Sequence, residues 1–120
     1  MNYICICGLL PYLCTFIYNL FFYNISFVLF FPLFVFINGI ILHGFYANSF
    51  KFICYDTICN IFFSLYTNYY TLNQPYCIIN SLFIYCMFII NVIYFNRSSI
   101  IHVLCIQLVS LQLYLDSNIL

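Results

Sequence analysis

Residues 3–46 read YICICGLLPYLCTFIYNLFFYNISFVLFFPLFVFINGIILHGFY, and this stretch decides the fold. It contains no Asp, Glu, Lys or Arg. As one helix, at about 1.5 Å per residue, it would be roughly 66 Å long. The hydrocarbon core of a bilayer is only about 30 Å thick. The stretch therefore predicts two passes rather than one. The break falls at Tyr23-Asn24-Ile25-Ser26, where turn-tolerant residues cluster in its middle. One span then covers 4–22 and the next 25–46. Pro11 and Pro32 fall inside them and are expected to kink them, which membrane helices tolerate. A rival register runs a single span over 12–31, ending before Pro32.

The composition of the 120-residue chain agrees with that reading. It is 68% hydrophobic, 24% aromatic and 3% charged, whereas soluble domains carry about 25% charged residues. Lys51, Asp56, Arg97 and Asp116 are the only charged side chains. A chain this short leaves much of its surface exposed on folding, and four charges cannot keep that surface in water. A soluble enzyme, a nucleic-acid binder and a disordered tail are thereby disfavoured. An integral membrane protein is what remains.

Beyond residue 46 the polarity rises. Ala47-Asn48-Ser49-Phe50-Lys51 is the first polar stretch. In 52–66, Asp56, Asn60 and Ser64 recur every four residues, with Asn68 next in line, a helical amphipathic pattern. Asp56 at the bilayer centre would cost about 2.5–3.5 kcal/mol. The segment is therefore read as an interfacial helix lying among the headgroups. Residues 67–76 are expected to be a loop, with Asn73-Gln74-Pro75 as its turn signal. Residues 76–95 form the best candidate span, free of charge and carrying Tyr at both ends. Asn96-Arg97-Ser98-Ser99 ends it. Segment 100–115 is a marginal fourth span, about 24 Å long as a helix. Its end, Leu111-Gln112-Leu113-Tyr114-Leu115-Asp116, alternates as a strand would. The expected fold is all-α: one small multi-pass membrane-embedded unit over 1–120, with three to four hydrophobic helices and an interfacial helix.

Chemistry-bearing patterns are sparse. Eight cysteines occur at 5, 7, 14, 54, 59, 77, 86 and 105. An even count fits disulfides in small secreted chains, but these are spread through apolar segments. Cys5-Ile6-Cys7 and Cys54-x4-Cys59, with His43 or His102, do not match paired zinc-ligand spacing. Neither histidine has a carboxylate at i±3 or i±4, and no H-E-x-x-H, P-loop or G-x-G-x-x-G is present. No catalytic, cofactor-binding or metal-ligating residue is assigned, and no cofactor. Cys5, Cys7, Cys54 and Cys59 sit where S-acylation is feasible. Asn80 and Asn91 stand about three helical turns apart and share a face. Asn24-Ile25-Ser26 and Asn96-Arg97-Ser98 have the form of N-glycosylation sequons.

Two compositional features bear on function. The chain has 16 Phe, but Lys51 is its sole Lys, a skew that points to a T-rich coding strand. It has 3 Gly and Ala47 as its one Ala, few of the small residues that let membrane helices approach closely. The leading expectation is a small integral multi-pass membrane protein without enzymatic activity, a structural or interaction subunit of a membrane complex. Its expected partners are the lipid bilayer and other membrane proteins or further copies of itself, with no nucleic acid and no small-molecule substrate. One alternative is a product of a dubious open reading frame in AT-rich DNA, with no selected function. The other is a small oligomeric pore former with the Asn faces turned inward.

Overall fold

A computed structural model describes residues 1–117. It is 83% helical, and no strand occurs among the described residues. The helices are α1 (Tyr3–Phe22), α2 (Phe27–Phe45), α3 (Phe50–Tyr70), α4 (Pro75–Ile93) and α5 (Ser99–Asp116). Helix α2 opens on a 3-10 turn, Phe27–Phe30, and closes on a π turn, Ile41–Phe45. Helix α5 carries a π segment at His102–Gln107. By length and composition, α1, α2, α4 and α5 can each cross a membrane. The chain forms two compact units, Met1–Phe63 and a second that begins at Ser64.

The first unit is built on an α1–α2 hairpin. The chain turns between them at 23–26, the break expected from the sequence, and the single-span register over 12–31 is not adopted. Helix α1 buries Cys5, Gly8, Leu9, Tyr12 and Asn19, one stripe at helical spacing. Helix α2 buries Val28, Leu29, Phe31, Pro32, Gly39 and Leu42. The closest packing is Leu9 over Gly39. A Cβ at Gly39 would stand 2.8 Å from Leu9 Cδ2 and 3.2 Å from Leu9 Cγ. Scarcity of small residues thus does not prevent close approach here, because Gly39 sits where the contact needs it.

Backbone bonds close both ends of the hairpin. Asn2 N–H donates to His43 O at 2.9 Å and ties the open end, while at the turn end Tyr23 N–H bonds Asn19 O at 3.0 Å and so caps α1 before the chain reverses. Aromatic pairs brace the unit further. Phe16 and Phe30 lie 5.7 Å apart, centroid to centroid, and Phe31 and Phe63 lie 4.6 Å apart. Tyr46 stacks on Phe52 at 4.2 Å across the α2–α3 turn.

The two prolines behave differently. Pro11 lies inside α1, as expected. Pro32 instead occupies the first turn of the α-helical part of α2. There its missing N–H leaves no bond unmade and its fixed φ suits the helix start, so it is no mid-span kink.

In the second unit α4 buries Cys77, Ser81, Ile84 and Asn91, again a single stripe. Cys77, Ile84 and Leu113 form its core, flanked by Ile106 and Val109. Two expectations are corrected here. The loop placed at 67–76 shrinks to a turn at 71–74, because α3 continues to Tyr70 and α4 starts at Pro75. The polar residues that suggested a loop are satisfied within helices. Thr71 Oγ1 donates to Thr67 O at 3.1 Å. Ser81 Oγ donates to Asn68 Oδ1 at 2.8 Å. The strand-like stretch 111–116 is helical. Its alternation is too short to choose a period, since Leu111 and Tyr114 also fit the i, i+3 face that α5 buries. A Gln112 Nε2 to Asp116 Oδ1 bond of 2.7 Å spans one helical turn.

Candidate functional site

In the first unit the hairpin closure brings together a thiol and an imidazole from opposite ends of the 3–46 stretch. Cys5 stands in the first turn of α1 and is buried. His43 stands in the π turn that ends α2 and is half-buried. The Cys5 sulfur and a His43 ring nitrogen lie within 4.8 Å of one another. Asn2 holds both backbones. Its side chain accepts from Cys5 N–H at 3.2 Å, capping α1, while its own N–H reaches His43 O. No metal-ligand spacing motif announced this pair.

Asp56 lies on α3, half-buried, and accepts a hydrogen bond from Asn60 Nδ2 at 2.9 Å. Burial pushes its carboxyl up from 3.8 to about 6, opposed by the Asn60 bond, which favours the anion. The four-residue recurrence noted in the sequence thus places the two on one helix face, within hydrogen-bond reach. Around it α3 exposes Phe50, Ile58, Phe62, Leu65 and Tyr69. The helix extends beyond the expected 52–66 segment at both ends, over Phe50–Tyr70.

The second unit holds the other expected polar residues. Asn91 is 4% exposed. Its Nδ2 donates to Ser98 O at 3.1 Å, and Arg97 N–H donates to Asn91 O at 2.9 Å. Asn91 therefore fastens the α4–α5 loop, where Asn96 and Arg97 take left-handed φ of 47° and 60°. Asn80 is half-buried. His102 begins the π segment of α5, so each histidine of the chain lies in a π turn, a geometry that recurs at functional sites.

None of the eight cysteines is in a disulfide. Cys7, Cys14 and Cys86 are exposed, and Cys54 and Cys59 are half-buried on α3. Asn24 and Asn96, the sequon asparagines, are exposed in the α1–α2 and α4–α5 loops. Compared with known proteins, the chain matches no family model, no curated protein and no solved structure.

Proposed function

We propose that this chain is a small multi-pass integral membrane protein that acts without catalysis, as a structural or interaction subunit of a membrane complex. The observation that carries the reading is the surface of the four long apolar helices. Phe21, Phe22, Ile79, Ile93 and Ile100 all point outward. In water such a surface would drive aggregation, whereas in lipid it is the solvent-facing surface. Helices α1, α2, α4 and α5 cross, and α3 lies in the headgroup layer with Asp56 at the aqueous edge. The chain's apolar outer faces, rather than a polar cleft, then offer the contacts for partner helices.

The test is a C-terminal tag at the native locus, followed by alkaline carbonate washing of the membrane fraction. A stable band retained in the pellet is expected, and a band released into the wash would overturn the reading. The composition favours a second reading, translation of T-rich DNA without selected function. Under it no product accumulates, and a longer Lys-rich frame lies on the opposite DNA strand.

A further inference from the structure

We propose that Cys5 and His43 supply the donors that hold a thiophilic monovalent cation, Cu(I), at the open end of the α1–α2 hairpin. The site rests on the membrane-hairpin reading and goes beyond it by naming a ligand. Distance is the first support. A metal ion with sulfur at about 2.3 Å and nitrogen at about 2.0 Å separates opposed donors by about 4.3 Å. The observed separation, within 4.8 Å, admits that ion with little movement.

Charge is the second support, and it selects the metal. Thiolate and thioether donors favour Cu(I), zinc and iron–sulfur clusters. A thiolate, a neutral imidazole and Cu(I) sum to zero charge. The same pair around Zn(II) leaves a net positive charge, which is costly in apolar surroundings. No carboxylate occurs in residues 3–46 to neutralise it.

Preorganisation is the third support. Asn2 bonds Cys5 N–H and His43 O together, so one residue fixes the backbone of both donors. Cys5 is also in the first turn of α1, where the partial positive charge of the helix terminus favours an anionic sulfur. The π turn at Ile41–Phe45 shifts His43 relative to a regular helix and so sets the direction of its ring. Binding is a substitution: the thiol proton leaves to solvent as the sulfur–copper bond forms, with no change of oxidation state.

The experiment uses the full chain in detergent with Cys5 as its only cysteine, the other seven changed to Ser or Ala, and Cu(I) held by a competing chromophoric chelator. The protein is expected to withdraw one Cu(I) per chain. X-ray absorption on that sample should show sulfur together with imidazole nitrogen around the metal. Cys5→Ser should abolish the withdrawal. His43→Ala should weaken it by at least about tenfold, because losing a group that merely orients a ligand already costs roughly 10–100-fold. Asn2→Ala should weaken it while leaving the same kinds of scatterer, which marks Asn2 as a positioning residue. Zn(II) should compete poorly. A sulfur-only spectrum, or affinity unchanged by His43→Ala, would overturn the proposal. Far-UV dichroism on every variant separates these outcomes from failure of the hairpin itself: lost helicity indicts the fold reading, and a fully helical single-cysteine parent that withdraws no copper indicts the site.

Discussion

Asp56 is the residue whose behaviour is most open to measurement. Its carboxyl is held at about 6, above the ordinary 3.8. Between those values the folded chain keeps a proton that the unfolded chain has lost. Stability is therefore greatest at or below about pH 4 and falls as pH rises towards about 6, then levels. At about 1.4 kcal/mol per pH unit the fall is up to roughly 3 kcal/mol. Thermal unfolding in detergent, followed by helicity, should show this slope, and Asp56→Asn should flatten it. Asn91 makes a different prediction. Truncating it to Ala strips the half-buried Ser98 carbonyl of a donor and should destabilise the second unit by about 0.5–1.5 kcal/mol. Denaturant titration of detergent-solubilised protein would measure that loss. At this scale the sequence was only partly legible. The i, i+4 relation of Asp56 and Asn60 is visible in the spacing, because neighbours on a helix face are set by the helix period alone. The role of Asn91 is not, since it depends on where a loop returns.

The elements were easier to anticipate than their ends. The break at 23–26 and the two helices beside it follow from two lengths, the rise of a helix and the thickness of a bilayer, whereas the last apolar helix is only marginal by the same measure. The ends of α3 did not follow, because Thr67 and Asn68 read as loop residues until their bonds within the helix and to Ser81 are seen. The Cys5–His43 pairing needed one further step. In a hairpin turning at 23–26 with equal rise on both arms, Cys5 faces about residue 44 and Leu9 about residue 40. That register was implicit in the sequence once the turn was fixed, and Leu9 over Gly39 obeys it. It also yields a prediction for the hairpin. Gly39→Leu should destabilise the first unit by about 1–3 kcal/mol through overpacking. Gly39→Ala should cost less, since only the flexible end of Leu9 must move aside. Unfolding of the two variants side by side, monitored by helicity, gives the order.

For the molecule as a whole, membrane topology follows from counting crossings along the chain. If α1, α2, α4 and α5 cross and α3 does not, loops 23–26 and 94–98 share one side. Segments 46–49 and 71–74 share the other, with Lys51 and Asp56. Arg97 then faces away from Lys51, so the positive-inside rule sets no strong orientation. Were α3 to cross as well, the two cations would share a side, but Asp56 would have to enter the hydrocarbon. Function is the least legible level. Apolar faces that suit lipid also suit partner helices, and no arrangement of side chains among the described residues selects one partner class. The most direct test is a glycosylation acceptor inserted in turn at 23–26, 46–49, 71–74 and 94–98 of a chain whose own sequons are removed by Asn24→Gln and Asn96→Gln, synthesised into microsomes. Modification at 23–26 and 94–98 together and at neither of the others, or the exact inverse, is the predicted result. Opposite outcomes at 46–49 and 71–74 would show that α3 crosses the bilayer and would contradict the four-span arrangement.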